Sequence, residues 1–387
     1  MAWMTAGEAL AALGTRPQTL YANVSRGRIE AKPDPADPRR SLYSAADVKR
    51  LAARRRRLKS ETLAADAIRW GDPVLSSALS TVQRGRLFYR GRDAAALASH
   101  ATLEDVAALL WRAPTVGFSR EPLKRGAPDA ETPITRAFLA LSALAGAALP
   151  TLGRSESALH AEACAVVSAM ADAMLRDDAR ARRRSLHERI AAAWAKPKAA
   201  DPIRRALVLL ADHDLNASTF AARVAASTGA SLAACALSGL ATLTGPRHGG
   251  ASAAAQAFAA SAARDGVGEA VRAWLAQGRA IPAFGHRLYP DGDARAAALM
   301  DSFTPTPLFA ELAEAGAAAT GEKPNIDFAL AAMTASFKLP REAPMVLFAL
   351  SRCAGWLAHA LEQAANGDLI RPRARYVGPP PSLSDRD

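Results

Sequence analysis

The chain has 387 residues, of which half are hydrophobic and only 6% aromatic, and it carries a formal net charge of +12. Alanine and leucine dominate while alternating β-branched runs are rare, which excludes a mainly β protein and predicts a mainly helical one of two or three domains. Its three cysteines, Cys164, Cys235 and Cys353, lie far apart, so neither a disulfide framework nor a zinc site is expected.

The apolar runs predict a soluble protein. The longest of them, such as AFLALSALAGAALP, are short and rich in weakly hydrophobic alanine, so no bilayer-spanning helix is expected. The first residues lack a cationic segment followed by an apolar stretch, so no signal peptide is expected either. Together with the dispersed cysteines, these features predict a cytoplasmic protein.

Positive charge is concentrated in the first sixth of the chain. Residues 1–59 contain 13 Lys and Arg but only 5 Asp and Glu, and so carry +8 of the net +12. Such an asymmetry is typical of a module that binds a polyanion, although a solvated basic surface has the same composition.

The same segment predicts two short helices, a hairpin and a third helix. TAGE at 5–8 is typical of a capping box, and Gly14 ends the first helix. In the second helix Thr15 is the expected cap and Pro17 lies in the first turn. The proline-rich EAKPDPADPRRSLY predicts a short hairpin or wing, and SAAD at 44–47 begins the third helix.

This order of elements resembles the winged helix-turn-helix domain of the MerR and excisionase type. The stretch GRIEAKPDPADPRRSLYSAADVKRLAARR carries most of the resemblance. It implies a DNA-binding domain over 1–58 and a linker over 59–74, although such domains also serve in dimerisation or interaction. The residues expected to contact DNA are Arg16, Gln18, Thr19, Tyr21 and Arg26.

Three later segments combine histidines and carboxylates with glycine or proline turns. The first, from ADHDLNASTF to GPRHGG, contains His213, Asn216 and His248. The second, IPAFGHRLYPDGDARAAAL, contains His286, and the third, KPNIDFALAAM, places Asp327 in the first turn of an apolar helix. Each is a weak signal alone, because a lone histidine is more often structural and an Asp at a helix start usually matches the helix dipole.

Motifs for dinucleotide, nucleotide-phosphate and metal binding are absent from the sequence. It contains no GxGxxG after a strand, no GxxxxGK[ST], no HExxH and no histidine pair with metal-ligand spacing. The site is therefore expected to hold no metal and no cofactor.

Taken together, the motifs resemble the citrate synthase family. DHDLNASTFAARVAASTGASL, GPRHGG, FGHRLYPDGDARA, NIDF, LSRCAGWLAHALEQ and IRPRARYVG follow that family's order and spacing, and RGRLFYRGRDAAALASHATLEDVAALLWR resembles its N-terminal motif. The resemblance covers about 75–387 and leaves the charged segment RDDARARRRSLHERI unexplained. It implies an all-α fold, with a large domain and a smaller domain inserted at about 250–345 that closes over the substrates.

The resemblance also implies a reaction. The family joins an acyl-CoA, a substrate rather than a cofactor, to a 2-oxo acid and then hydrolyses the thioester. Asp327 is the implied base, His248 the donor to the enolate oxygen and His286 the general acid on the ketone. Binding of a 2-oxo dicarboxylate is implied for His213, Asn216, Arg295, Arg352 and Arg371. The last of these is supplied to the neighbouring subunit's site in a homodimer.

Three positions depart from the family pattern. Arg247 replaces a hydrophobic residue, Ser252 an asparagine and Ala294 a proline. Two roles stay open for Arg247: contact with a CoA phosphate, or an ion pair with an acid elsewhere in the chain. The sequence therefore predicts citrate synthase activity on acetyl-CoA, oxaloacetate and water. The alternatives are 2-methylcitrate synthase activity on propionyl-CoA, and a DNA-binding regulator whose citrate-synthase-like body senses CoA esters or oxo acids.

Overall fold

The computed structural model divides the chain into two compact units, Met1–Ser76 and Ser77–Asp387. It describes the residues 2–35, 37, 40–52, 75–118, 130–176, 184–374 and 376–379. The predicted linker over 59–74 lies outside the described residues, as do residues 177–183 of the charged segment.

The first unit combines a small sheet with three short helices. The strands are β1 (Trp3–Met4), β2 (Ala31–Pro33) and β3 (Ser41–Ser44), and the helices are α1 (Ala6–Leu13), α2 (Pro17–Ser25) and α3 (residues 45–52). Strand β3 lies between β1 and β2 and pairs antiparallel with both. The β2–β3 hairpin predicted from the proline-rich segment is confirmed.

A compact apolar core holds this unit together. Leu13, Leu20, Ile29, Tyr43 and Val48 are all buried in it, and they come from both helices of the N-terminal pair, from β3, from α3 and from the segment before β2. Burial of an apolar side chain of this size contributes about 1.5–3 kcal/mol. Because helices this short are marginal alone, packing rather than helix propensity stabilises them.

The caps of α1 and α2 differ. Thr5 forms the predicted capping box, and Gly14 ends α1 in the left-handed region at φ 58°. The prediction that Thr15 caps α2 is wrong. The N-cap is Arg16, and Thr15 Oγ1 is buried with no hydrogen-bond partner among the described residues. Pro17 is the first helical residue, and because proline holds its predecessor extended, the helix boundary falls at Arg16.

The second unit begins with a three-stranded antiparallel sheet that the sequence does not predict. Its strands, in spatial order, are β4 (Ser80–Gln83), β5 (Arg86–Tyr89) and β6 (Arg92–Asp93). The turns are Arg84–Gly85, at φ 50° and 70°, and Arg90–Gly91, at φ 45° and 80°. Two-residue turns with both residues left-handed match the twist of paired strands. The all-α prediction is therefore wrong for this segment. Here the sequence indicates strands through its turn residues and not through β-branched runs.

The rest of the described second unit is helical, which confirms a mainly helical fold. Its helices are α4 (Ala94–Ala98), α5 (Leu103–Trp111), α6 (Pro133–Ala147), α7 (Glu156–Leu175), α8 (Leu186–Ala193), α9 (Ala200–Leu210), α10 (Ala217–Ser227), α11 (Leu232–Leu243), α12 (Ala251–Asp265), α13 (Val267–Ala276), α14 (Ala294–Met300), α15 (Pro307–Thr320), α16 (Ile326–Phe337) and α17 (Ala343–Asn366), with a 3₁₀ helix at Pro197–Ala199.

The long helix α17 is the centre of the larger core. It packs against α5, α7, α9, α10 and α11, and its Trp356 is fully buried. Two glycines allow this close approach. A Cβ on Gly239 would lie 2.5 Å from the Trp356 ring, and a Cβ on Gly355 would lie 2.3 Å from the Ala211 carbonyl oxygen. Only glycine fits at these two helix contacts.

Two of the described helices, α7 and α17, are long and apolar enough to cross a membrane by length and composition alone. Inside the molecule 83% of the α17 window and 56% of the α7 window is buried. The core helix of a folded domain passes the same test.

A second, smaller core is formed by α12, α13, α15 and α16, and includes Phe258 and Phe328. Helix α16 contributes to both cores, because Phe328 packs in the smaller one and Leu330 in the larger. The start of α16, which carries Asp327, therefore lies between the two cores. The smaller core falls within the predicted inserted domain at 250–345, whose boundaries stay a prediction.

Candidate active site

His248 lies in a tight turn between α11 and α12. The two glycines that follow it cannot be replaced without a clash. A Cβ on Gly249 would lie 2.4 Å from the Leu243 carbonyl oxygen, and a Cβ on Gly250 would lie 2.6 Å from that of Pro246. Burial is the main cause that lowers the pKa of His248 to about 4. The imidazole is therefore neutral at neutral pH.

Ser218 holds the His248 ring and is absent from the sequence predictions. Its Oγ lies 2.8 Å from His248 Nε2, 2.8 Å from Asn216 Oδ1 and 3.1 Å from Trp356 Nε1. It is the second residue of α10, whose N-cap is Asn216. The sequence signal for Ser218 is its position in DHDLNAS, two residues after Asn216.

Asn216, which is predicted to bind substrate, uses its side chain on the backbone. Its Oδ1 accepts from the Ser218 and Thr219 N–H groups at 3.2 Å, and its Nδ2 donates to the His213 carbonyl oxygen at 3.2 Å. These bonds position His213 and the start of α10. A substrate contact would have to compete with them.

His213 and His286 stand with their rings nearly perpendicular and 5.3 Å apart between centroids. His213 Nε2 lies 2.8 Å from Tyr289 Oη. His286 Nδ1 accepts from the Leu288 N–H at 3.1 Å, so Nε2 carries the proton of the neutral ring. Burial, and then the charge of Arg295, lower both pKa values, that of His286 to about 4. Both imidazoles are therefore neutral at neutral pH.

Arg295 is clamped by Asp293 at the start of α14. Its Nε and Nη2 donate to the carboxylate at 3.0 and 2.9 Å. The same carboxylate caps α14 and accepts the Ile326 N–H at 3.0 Å, which ties α14 to the start of α16. Ala294 is the first helical residue, where proline is favoured but alanine also fits, so this departure from the family pattern leaves the cap intact.

Arg352 projects from α17 and is only 1% exposed. Its Nε donates to the Leu210 carbonyl oxygen at 2.8 Å, and its guanidinium carbon lies 4.8 Å from the centre of the Phe348 ring. Burial lowers its pKa to about 10 against the opposing charge of Asp212. The guanidinium therefore stays charged at neutral pH.

Asp327 lies partly buried in the first turn of α16. Its N–H donates to Asn325 Oδ1 at 3.0 Å, and its Oδ1 accepts from Ser252 Oγ at 2.5 Å. Burial raises the pKa of this carboxyl, while Ser252 and the charges of Arg295 and Arg352 act against the rise. A carboxylate with a raised pKa is a stronger base than one in water.

These side chains share one electrostatic environment. The groups that lower the pKa of His213 through their charge are Arg295, Arg352, His286 and His248. The same two arginines act on Asp327. Seven predicted residues thus gather around one centre: His213, Asn216, His248, His286, Arg295, Asp327 and Arg352.

The other predicted residues lie outside this cluster. Arg371 is exposed in the segment after α17. Arg247 is exposed in the His248 turn, and no ion pair to it occurs within the described part of the chain. The residues predicted to contact DNA belong to the first unit and are all exposed: Arg16, Gln18, Thr19, Tyr21 and Arg26.

Comparison with known proteins decides the family. The family model described as citrate synthase, C-terminal domain, matches residues 69–373. The chain belongs to the citrate synthase family. Citrate synthase 2 of Bacillus subtilis (strain 168) is 37% identical to it over 199 residues, which are 47% of this chain and 52% of that protein.

Other members of the citrate synthase family give the same result. 2-Methylcitrate synthase 1 of Corynebacterium glutamicum is 34% identical over 197 residues, 46% of this chain and 51% of that protein. The crystal structure of citrate synthase from Thermotoga maritima MSB8 matches with a TM-score of 0.65 at 26% identity, over 82% of this chain and 98% of that one. The chain spans about half the length of the curated relatives it matches.

The polar groups of this citrate synthase family member set limits on its chemistry. Within the described residues no group of three or more His, Cys, Asp and Glu is arranged to hold a metal ion. The site offers three neutral imidazoles, two guanidinium groups and one carboxylate with a raised pKa. Such a set can remove a proton from carbon, donate hydrogen bonds to developing oxyanions and bind an anionic substrate.

Proposed function

We propose that this chain condenses acetyl-CoA with oxaloacetate and water to give citrate and CoA. One observation carries the proposal: the carboxylate of Asp327, whose pKa is raised, shares the charges of Arg295 and Arg352 with imidazoles whose pKa values are lowered. His213 is acted on by both arginines, His286 by Arg295 and His248 by Arg352. The shifts go in opposite directions, which leaves the histidines neutral donors and makes the carboxylate a stronger base.

In the first step Asp327 removes a proton from the methyl group of acetyl-CoA. The electron pair moves to the thioester oxygen, and His248 donates a hydrogen bond to that oxygen. Because His248 Nε2 lies against Ser218, the nitrogen left for the substrate is Nδ1. A neutral ring carries a proton on Nδ1 only if Ser218 donates to Nε2. Ser218 Oγ donates its one proton to Asn216 Oδ1 in this structure, so the role requires the hydroxyl to turn from Asn216 to His248 Nε2.

In the second step the enolate carbon attacks the ketone carbon of oxaloacetate, and the ketone oxygen takes a proton. His286 is the proposed donor, from Nε2, because its Nδ1 already accepts from Leu288. Water then hydrolyses the thioester of the product and CoA leaves. His286 is left as an imidazolate, whose negative charge is stabilised by Arg295 and opposed by Asp293. The proton that Asp327 took in the first step balances the one that His286 gave.

The two carboxylates of the oxo acid are proposed to meet Arg295, Arg352 and His213. The guanidinium groups are the natural partners of a dicarboxylate, because they stay charged when buried and present paired donors. Arg295 spends two donors on Asp293, so its remaining N–H groups are those available to the substrate. Asn216 is proposed to assist by positioning His213.

Arg371 is proposed to complete the site of a second subunit in a homodimer. It is exposed within its own chain, in the segment after α17, and does not belong to the group of seven residues around His213. A charged side chain placed in this way can serve a neighbouring copy, and a monomer would then have an incomplete site. The cytoplasm is the proposed location, since Cys235 and Cys353 are buried as free thiols.

The test is steady-state release of CoA across a matrix of short acyl-CoAs and 2-oxo acids. Release from acetyl-CoA only in the presence of oxaloacetate supports the proposal, and Asp327→Ala abolishes it. Faster turnover of propionyl-CoA would instead assign 2-methylcitrate synthase activity, the function named for the Corynebacterium glutamicum relative. No release from any acyl-CoA contradicts both.

A second candidate function belongs to the first unit. We propose that residues 1–58 form a winged helix-turn-helix domain that binds DNA and makes the chain a regulator. The support is the order of α1, α2, the β2–β3 hairpin and α3, together with the exposed polar and basic residues at α2. The segment 1–59 also carries most of the net charge of the chain.

Mobility shift of the full-length chain on DNA from upstream of its own gene tests this second function. Sequence-specific binding that changes with acyl-CoA and weakens in Arg16→Ala/Arg26→Ala supports it. Each lost phosphate contact should also lower the slope of log affinity against log salt by about one. Binding unchanged in the double variant contradicts it.

A further inference from the structure

Ser252 stands where the family pattern has asparagine, and its hydroxyl reaches the Asp327 carboxylate. It is the second residue of α12, directly after the His248 turn, and only 6% exposed. Its Oγ donates to Asp327 Oδ1 at 2.5 Å. A hydrogen bond to an ionised group is shorter and about twice as strong as one between neutral groups.

The hydroxyl has no competing local task. Serine near the start of a helix commonly caps it, but the N-cap of α12 is Gly250 and no side chain caps this helix. The bond of Ser252 runs instead to a different helix, α16, across 75 residues of sequence. It joins the helix that follows His248 to the helix that begins with Asp327.

The bond also determines which carboxylate oxygen is free. The backbone of Asp327 is held by Asn325, and Oδ1 is held by Ser252. No described residue donates a hydrogen bond to Oδ2. The carboxylate is therefore fixed at one oxygen, and the other is left to accept a proton.

Charged groups reach Asp327 from two of the helices packed against α16. Helix α14 contributes Arg295, which favours the ionised carboxylate, and Asp293, which disfavours it. Helix α17 contributes Arg352, which favours ionisation. Helix α12 contributes the uncharged Ser252, whose hydrogen bond opposes the rise of the pKa caused by burial.

We propose that Ser252 is a positioning residue for Asp327, orienting its carboxylate so that Oδ2 faces the acyl-CoA. The inference rests on the proposed function, in which Asp327 is the base. An asparagine side chain also carries N–H donors, so serine and the asparagine of the family pattern can serve the same carboxylate. The departure then replaces one donor with another.

Three variants test this role: Ser252→Ala removes the donor, Ser252→Thr keeps it, and Ser336→Ala is the matched control. Ser336 lies on α16 itself, and its buried Oγ has no hydrogen-bond partner among the described residues. Both alanine variants therefore lose a buried hydroxyl, but only Ser252→Ala loses the contact with Asp327.

In Ser252→Ala we expect kcat to fall about tenfold with the KM for acyl-CoA nearly unchanged. The midpoint of the acidic limb of the kcat profile should move up by about one pH unit, because an ionised carboxylate that loses a donor holds its proton more tightly. Ser252→Thr should restore both values, and Ser336→Ala should leave both alone. An unchanged kcat and an unchanged pH profile of kcat in Ser252→Ala overturn the proposal. A Ser252→Thr variant that is folded but no more active than Ser252→Ala also overturns it.

A readout independent of activity separates this proposal from the proposed function. In protein labelled with ¹³C at aspartate Cγ, the Asp327 resonance is assigned by its absence in Asp327→Asn and titrated with pH. An upward shift of its midpoint in Ser252→Ala, absent in Ser336→Ala, supports the contact, and no shift overturns it. A wild-type chain that releases no CoA would contradict the proposed function while this titration still decides the role of Ser252.

Discussion

At the scale of single residues, the site works by shifting pKa values in opposite directions. Burial lowers the pKa of His248 and His286 to about 4 and raises that of Asp327. Desolvation penalises the charged form of each group, so one physical cause has opposite consequences for an imidazole and a carboxyl. The two arginines add to the effect on the imidazoles and act against it at Asp327.

These shifts predict how stability depends on pH. An unfolded histidine takes up a proton near pH 6.5, whereas folded His286 does so near pH 4. The unfolded chain therefore binds more protons between these values, and the free energy of unfolding falls as the pH drops from about 6.5 to 4. The raised pKa of Asp327 acts in the opposite direction, because the folded state binds its proton first.

We therefore expect His286→Gln to lose less stability on acidification than the wild-type chain. The difference in melting temperature between pH 7 and pH 5 should shrink by about 2–4 °C, the effect of roughly 1 kcal/mol in a domain of this size. Differential scanning calorimetry at the two pH values measures it. Equal acid sensitivity of the two proteins would show that His286 is not held neutral by the fold.

Ser218 is expected to matter as much as the histidine that it holds. Ser218→Ala removes the partner of His248 Nε2 and leaves the indole N–H of Trp356 without its acceptor. We expect kcat to fall at least about tenfold and stability to drop by about 1–3 kcal/mol. Kinetics and thermal unfolding measure the two effects, and Ser218→Thr should recover part of each. Full activity in Ser218→Ala would contradict the role assigned to the hydroxyl.

Motifs in the sequence predict the titratable residues of the site but not the residues that orient them. His248, His286 and Asp327 stand out because each lies beside glycine, proline or a helix start. Ser218 and the contact of Ser252 do not, because a serine is common at helix starts and its partner is set by tertiary packing. The bond between Ser252 and Asp327 spans 75 residues, beyond the reach of any local pattern.

At the scale of elements, the site depends on how closely α17 approaches the end of α9. A Cβ on Gly355 would lie 2.3 Å from the Ala211 carbonyl oxygen and 2.8 Å from Asp212 Oδ1. Asp212 immediately precedes His213, so any shift that relieves the clash also moves a residue proposed to bind the oxo acid. The close helix contact is thus part of the site.

Gly355→Ala should therefore lower stability by about 1–3 kcal/mol and raise the KM for oxaloacetate. The matched control is Gly268→Ala on α13, where a Cβ meets nothing within 4 Å. That change should be neutral or stabilising by up to about 1 kcal/mol, because alanine favours a helix over glycine. Equal melting temperatures and equal KM values in the two variants would refute the close contact.

Local patterns predict the helices of this fold better than its strands. The capping box at Thr5 and the start of α3 are confirmed, because caps depend on residues three or four apart. The sheet of β4, β5 and β6 escapes prediction because its strands are only two to four residues long. The prediction that Thr15 caps α2 is wrong because Pro17 holds the backbone of Arg16 extended and so makes Arg16 the N-cap.

At the scale of the whole molecule, the proposed homodimer makes each site from two chains. If Arg371 of one subunit completes the site built around Asp327 of the other, neither Asp327→Ala nor Arg371→Ala chains are active by themselves. A hybrid dimer of the two variants contains one site with both residues intact and one site with neither.

Co-expression of the two variants in equal amounts should therefore restore activity. Random pairing makes half of the dimers hybrid, each with one working site, so about a quarter of wild-type activity is expected. Differently tagged chains, purified through both tags, should reach about half. Mixtures no more active than the separate variants would contradict sharing of the site through Arg371.

The central claim is that the chain forms a carbon–carbon bond between an acyl-CoA and a 2-oxo acid, with Asp327 as the base. It is tested most directly by ¹³C NMR of the products made from [2-¹³C]acetyl-CoA and oxaloacetate. The account predicts labelled citrate, with the label in the newly bonded methylene carbon, from the wild-type chain and none from Asp327→Ala. Labelled acetate, or unreacted acetyl-CoA, from the wild-type chain would contradict it.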